Sequence, residues 1–99
     1  MSIVMFRSKI KAEHVPALEA AVKKGFAALE KRQPAGIRYA SFRLADGVTY
    51  VAMLALDEGV ENPLPAIPEF QEFQEGLKTW LAEQPAPDQL TVVGSYRLF

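Results

Sequence analysis

The apolar positions of the chain follow two different periods. Between residues 12 and 32, apolar residues recur at every third or fourth position. They are Val15, Leu18, Val22, Phe26 and Leu29. A second stripe with the same spacing comprises Phe70, Phe73, Leu77, Trp80 and Leu81. This spacing places apolar side chains on one face of an α-helix. We therefore predict one helix over residues 12–32 and a second that begins near Pro68 and ends before Pro85.

Four other segments have the composition of β-strands, namely residues 3–10, 37–44, 48–56 and 90–99. The dipeptide Asp46-Gly47 separates the second from the third, and it is typical of a two-residue type I′ hairpin turn. Gly94 interrupts the last segment and predicts a bulge or a close backbone approach there. The order βαββαβ predicts a single α+β domain of the ferredoxin-like kind over residues 1–99, with a four-stranded antiparallel sheet and two helices on one face.

The predicted hairpin is apolar on both of its faces. In the register set by a two-residue turn, one face carries Ile37, Tyr39, Ser41, Arg43, Tyr50, Ala52, Leu54 and Leu56. The other carries Arg38, Ala40, Phe42, Leu44, Thr49, Val51, Met53 and Ala55. An antiparallel sheet in a small monomer usually leaves one face in water. We expect the helices to cover one face and the sheet of a second copy to cover the other, which predicts a homodimer.

The composition narrows the classes of partner. The hydrophobic fraction is 49%, and the 11 basic and 12 acidic residues leave a net charge of −1 with no long basic run. Neither nucleic acid nor a membrane is expected as a partner. The chain has no cysteine and a single histidine, His14, so one chain cannot build a Cys/His zinc site. No metal or cofactor is predicted. The N-terminal apolar run is interrupted at Arg7, too early for a signal peptide, and we expect a cytoplasmic protein.

Five residues are candidates for a small-molecule pocket: Trp80, Phe73, Tyr39, Tyr50 and Arg43. The indole of Trp80 has the shape to stack on a flat ligand, and the alternative is that it belongs to the core with Phe73. A phenol beside a guanidinium is suited to binding a phenolate or a carboxylate. For Tyr39, Tyr50 and Arg43 the alternative is a place at the dimer interface or its rim. Glu19 and Lys23 are predicted to form an ordinary i, i+4 surface pair.

The segment between the hairpin and the second stripe carries a further pattern. It reads Asn62-Pro63-Leu64, then Pro68-Glu69-Phe70-Gln71-Glu72-Phe73, then Leu77 and Trp80. With the order of elements, the length near 100 residues and the two-sided apolar sheet, this pattern resembles the dimeric α/β-barrel superfamily, in particular the antibiotic biosynthesis monooxygenase-like proteins. The resemblance covers essentially the whole chain.

The resemblance implies that two chains pair sheet to sheet into a barrel, with a pocket between each sheet and its helices. It does not imply one chemistry, because similar proteins include cofactor-free oxygenases, haem-degrading enzymes and proteins without known activity. The haem-degrading members use an Asn in the first strand and a His late in the second helix, whereas this chain has Arg7 in its first strand and only His14. We therefore expect a homodimeric small-molecule-binding protein. The alternative is a cofactor-independent monooxygenase or isomerase acting on a small phenolic or quinol-like compound.

Overall fold

The computed structural model describes residues 1–98 and has the predicted order of elements. These are β1 (Ser2–Lys9), α1 (Val15–Arg32), β2 (Ile37–Arg43), β3 (Thr49–Leu56), α2 (Pro68–Trp80) and β4 (Ala86–Leu90). Short 3-10 turns at Ala12–His14 and Leu64–Ala66 lead into the two helices. The ferredoxin-like α+β fold is confirmed.

The four strands form one antiparallel sheet in the order β2-β3-β1-β4. Both helices lie on the same face, which we call the helix side. Two contacts identify it: the Tyr50 hydroxyl reaches Glu19 of α1, and the Tyr39 ring stacks on Phe26 of α1. The opposite face of the sheet is called the open face. Because partners in a register share a face, β1 contributes Val4, Phe6 and Ser8 to the helix side.

Two groups of buried side chains hold the helices on the sheet. The hairpin-end cluster has Ile10, Leu18 and Tyr50 at its centre, with six partly buried residues packed on them: Val15, Val22, Phe73, Leu77, Trp80 and Leu81. The distal cluster has Ala28, Ile67 and Phe70 at its centre, flanked by Leu29, Tyr39 and Leu64. Both predicted apolar stripes therefore face the sheet, and each cluster joins α1 to α2.

The hairpin has the predicted register but not the predicted turn. Arg43 pairs with Tyr50, and the Leu44 amide donates to the Thr49 carbonyl at 2.8 Å, as the sequence indicates. A type I′ turn needs positive φ at both central residues, whereas here Gly47 has φ 78° and Asp46 does not have a positive φ. The reason is that the Asp46 carboxylate accepts hydrogen bonds from the Val48 amide, the Thr49 amide and the Thr49 hydroxyl. These bonds fix a longer loop around Asp46.

The predicted last strand over residues 90–99 is wrong in its position. The strand is Ala86–Leu90, and no strand is assigned to residues 91–98, so the bulge predicted at Gly94 is also absent. The register explains the difference, because Leu90 pairs with Ile3 and β1 begins at Ser2. Only Ser2 of β1 lies beyond this pair, so the backbone groups past Thr91 find no neighbouring strand to pair with. Within this segment Val93 is 99% exposed and Tyr96 is 81% exposed. Phe99, predicted in the same strand, lies outside the described residues.

A membrane-spanning helix is not found within residues 1–98, because neither α1 nor α2 is both long and apolar enough to cross a bilayer.

Candidate functional site

A polar cluster joins three elements on the helix side of the sheet. The Arg43 guanidinium of β2 donates to Glu19 Oε2 of α1 at 2.8 Å, and the Tyr50 hydroxyl of β3 donates to the same oxygen at 2.5 Å. We call these three residues the Glu19 cluster. Arg43 and Tyr50 are direct cross-strand partners, so the register of the hairpin places both donors beside α1. The Glu19 partner is thus Arg43 rather than the predicted Lys23.

The groups of the Glu19 cluster influence one another's protonation. The hydrogen bond from Tyr50 is the main reason that the pKa of Glu19 lies below its ordinary value, and Arg43 adds to the effect. Burial is the main cause of the raised pKa of Tyr50, and the Glu19 carboxylate raises it further. At neutral pH the cluster therefore holds a carboxylate, a guanidinium and a neutral phenol. Only part of the donor capacity of Arg43 is used by Glu19, since a guanidinium has five N–H groups.

Aromatic side chains of α2 pack on the apolar group to which Tyr50 of this cluster belongs. Phe73 and Trp80 both pack on the group formed by Ile10, Leu18 and Tyr50. The indole of Trp80 lies over its own helix, where a Cβ added at Gly76 would overlap the ring. The ring has this position because Gly76 carries no side chain. Of the five sequence candidates, Trp80, Phe73 and Tyr50 thus belong to one apolar group, and Arg43 is linked to it through Tyr50 and their shared partner Glu19.

Tyr39, the fifth candidate, lies apart from the other four. Its ring stacks on Phe26 with centroids 5.3 Å apart and meets the edge of Phe70 at 5.7 Å. It belongs to the distal cluster, and burial raises the pKa of its phenol. The structure does not place Tyr39 and Trp80 in one pocket wall.

Known structures with the same architecture identify the fold. A crystal structure described as an antibiotic biosynthesis monooxygenase superposes with a TM-score of 0.74 at 14% identity, and the match covers 95% of this chain and 100% of that one. The chain has the antibiotic biosynthesis monooxygenase-like fold. A candidate monooxygenase of this type from Nitrosomonas europaea gives a TM-score of 0.74 at 14% identity, covering 93% of this chain and 89% of the other.

One further antibiotic biosynthesis monooxygenase-like neighbour has a described activity. SnoaB from Streptomyces nogalater, solved as a point mutant, is a cofactor-independent oxygenase. It matches with a TM-score of 0.70 at 18% identity, over 97% of this chain and 96% of its own. No protein-family model and no curated protein matches the chain. At these identities the likeness shows a shared fold.

In this antibiotic biosynthesis monooxygenase-like fold, one row of residues runs between the two clusters on the helix side. Ser41, Ala52, Phe6 and Pro87 lie side by side across the four strands. Ser41 and Ala52 are small, and Phe6 is 38% exposed although it faces the helix layer. We call these four residues the middle row. The helices therefore leave part of the Phe6 side chain accessible to solvent.

Sequence reasoning missed two members of this region, Glu19 and Phe6. Glu19 flanks the apolar stripe of α1. Its i, i+4 spacing from Lys23 is typical of an ion pair on a solvated helix surface. Phe6 lies in an apolar run typical of a buried strand. Only the packing of α1 on β2 and β3 distinguishes these environments. Within residues 1–98 there is no group of three or more acidic or histidine side chains placed to hold a metal ion.

Proposed function

We propose that this protein is a homodimer that binds a small aromatic molecule between the sheet and the helices of each chain. The observation that carries the proposal is that Phe73 and Trp80 pack on the apolar group containing Tyr50, whose hydroxyl belongs to the Glu19 cluster. Ligand pockets typically combine an apolar lining with a few placed polar groups. The antibiotic biosynthesis monooxygenase-like fold supports the same conclusion by analogy.

The polar groups favour a ligand with an acidic hydroxyl or a carboxylate. Arg43 retains N–H donors beyond the one bound to Glu19, and guanidinium groups suit planar anionic oxygens. The indole of Trp80 offers a flat surface for a ring. The partly exposed Phe6 of the middle row adds accessible apolar surface on the same side of the sheet. A phenol or quinol with one or two rings meets these requirements.

The assembly follows from the open face of the sheet. Phe42 is 51% exposed there. Its cross-strand neighbour Val51 is half-buried and is followed across the sheet by Arg7, and the adjacent pair Met53 and Met5 is also half-buried. Contiguous apolar surface of this kind marks an interface in soluble proteins. A second copy presenting the same face would cover it in a two-fold arrangement.

A cofactor-independent monooxygenase or isomerase is the second candidate function. The likeness to SnoaB, a cofactor-independent oxygenase, favours the monooxygenase. In such a reaction, a naphthol and O₂ give a quinone and water. The substrate supplies all the electrons, so one oxygen atom enters the ring and the other leaves as water. The Arg43 guanidinium would stabilise the phenolate that reacts.

The binding proposal is tested by titrating the fluorescence of Trp80, the only tryptophan, with quinols, naphthols and small aromatic acids. We expect a saturable change that depends on the compound, and we expect Arg43→Gln to weaken binding about fivefold or more. Arg32→Gln is the matched control, because Arg32 is exposed at the end of α1. A flat response to every compound, or equal binding by the Arg43 variant, would contradict the proposal.

Oxygen uptake separates the two candidate functions. A monooxygenase consumes O₂ in the presence of a compound that also changes Trp80 fluorescence, and Arg43→Gln lowers the rate. A binding protein gives the fluorescence change without uptake above the rate of the compound alone. Uptake that is unaffected by Arg43→Gln would place the reaction elsewhere than at the Glu19 cluster.

A further inference from the structure

A groove separate from the site described above runs between α1 and the edge strand β2. Its volume is about 260 Å³, and it opens to solvent along the edge of the sheet. We call it the α1–β2 groove. Its lining residues are Phe26, Leu29, Glu30, Gln33, Pro34, Ile37 and Tyr39. The four from α1 and its C-cap follow a spacing of three and four, so they occupy one face of the helix.

The floor of the groove is built from apolar and aromatic side chains. The stacked rings of Phe26 and Tyr39 form one part, and Leu29, Pro34 and Ile37 form the rest. All five are half-buried, so each presents part of its surface to the groove. Desolvating these side chains would favour an apolar ligand. A cavity of about 150 Å³ holds benzene and drug-sized pockets begin near roughly 300 Å³, so the space suits a ligand with a single ring.

Glu30 is the one charged side chain among the residues that line the groove. The carboxylate of Glu30 lines it, and within residues 1–98 no lysine or arginine forms an ion pair with this group. The groove also lies at the C-terminal end of α1, which ends at Arg32 and carries a partial negative charge from its last carbonyls. Lys31 and Arg32 in the same turn are exposed and do not line the groove.

We propose that the α1–β2 groove binds a small aromatic amine, with the ring on Phe26, Leu29 and Ile37 and the ammonium group at Glu30. The Tyr39 hydroxyl has no hydrogen-bond partner among the described side chains and is free to bond to the ligand. This site is independent of the proposed function, because it shares no residue with the Glu19 cluster and does not include Trp80.

The test uses 2-phenylethylamine as the probe, with phenylacetate as the probe of opposite charge and 2-phenylethanol as the neutral one. Two-dimensional ¹H–¹⁵N NMR reports each backbone amide and the indole N–H of Trp80 separately. We expect the amine to shift the amides of Leu29, Gln33 and Ile37 saturably while the Trp80 indole signal stays in place. Phenylethanol should bind more weakly and phenylacetate should not bind.

Variants measure how much the Glu30 carboxylate and the free volume of the groove each contribute to binding of the amine. Glu30→Gln should weaken binding of the amine about two- to fivefold, as expected for an exposed ion pair, whereas Glu13→Gln, a change of the same kind at an exposed residue outside the groove, should leave it unchanged. Ile37→Trp should abolish binding by filling the groove. The proposal is overturned if the amine does not bind, if phenylacetate binds equally well, or if Glu30→Gln has no effect. It is also overturned if the Trp80 signal shifts instead of the groove amides, a result that leaves the proposed function standing.

Discussion

The carboxylate of Glu19 connects three elements through a single oxygen atom. Arg43 of β2 and Tyr50 of β3 both donate to it from strands that pair with each other. Because these bonds favour the charged carboxylate, the pKa of Glu19 is lower in the folded chain than its ordinary value of 4.5. A carboxyl group with a lowered folded-state pKa stabilises the fold above its unfolded-state pKa. That contribution is lost as the pH falls through the folded-state pKa.

The first prediction concerns acid stability. Glu19→Gln should remove part of the pH dependence of the free energy of unfolding, so wild type loses more stability than the variant between about pH 5 and pH 3. Urea unfolding followed by circular dichroism measures this difference. Some pH dependence of the stability should remain in the variant. The pKa of Asp46 is also lowered in the folded chain, chiefly by the hydrogen bond from the Thr49 hydroxyl. Glu13→Gln is the control, and parallel profiles for wild type and Glu19→Gln would contradict the prediction.

The phenol of Tyr39 gives a prediction at the alkaline end. Burial raises its pKa above 10.0, so the neutral phenol is favoured in the folded state. The stability that this provides is present below the unfolded-state pKa and is lost as the pH rises through the folded-state pKa. Tyr39→Phe keeps the ring and should lose less stability above about pH 10 than wild type does. Tyr96→Phe, at an exposed position, should follow wild type in the same measurement.

At the scale of elements, the crossing of α1 and α2 depends on a glycine. A Cβ added at Gly25 would stand 3.0 Å from Cζ of Phe70. The Phe70 ring is buried in the distal cluster and makes a T-shaped contact with Tyr39, so it has little room to move. Gly25 thus permits α2 to approach α1 closely. Helix propensity alone would favour alanine at this position.

Gly25→Ala should therefore lower the free energy of unfolding. The cost of overpacking against Phe70 should exceed the small gain in helix propensity by about 1–2 kcal/mol. Thermal unfolding should show a decrease of several degrees in Tm. The double variant Gly25→Ala with Phe70→Leu serves as the control, because the smaller side chain leaves space for the added methyl group. A coupling energy near zero between the two changes would show that the contact does not limit the packing.

Most elements could be predicted from the chain alone, and the errors have identifiable causes. The stripe of α2 and the suitability of Pro68 for a first helical turn gave its beginning correctly. The last strand was misplaced because its position depends on where β1 begins, which is a property of a partner distant in sequence. The turn at Asp46 differed because its side chain competes with the backbone geometry that Asp-Gly normally adopts.

The candidate site was predictable in its aromatic part and less so in its polar part. Phe73, Trp80 and Tyr50 come together because both helical stripes and the hairpin register follow from local periodicity. The role of Glu19 depends on how α1 is rotated over the sheet, and the separation of Tyr39 from Trp80 depends on the distance between two rows of one sheet face. Neither quantity is encoded in local spacing.

At the scale of the whole molecule, the open face predicts the oligomeric state. Solution mass should be about twice 11.0 kDa at micromolar concentration. Phe42→Asp should shift the mass to that of a monomer, because it places a charge on the half-exposed apolar surface that the second copy would cover. Lys24→Asp, on the exposed side of α1, is the control and should remain dimeric. A wild-type monomer in size-exclusion chromatography with light scattering would remove the argument from the open face.

The position of β1 inside the sheet has a consequence during synthesis. Its partner β3 follows it by about 40 residues or more in every pair from Ser2 with Leu56 to Lys9 with Thr49. At roughly 5–20 residues per second, β1 leaves the ribosome about 2–11 s before β3. For that interval the apolar run from Ile3 to Phe6 has no strand to pair with. An unpaired apolar strand of this kind is prone to aggregation until the hairpin has emerged.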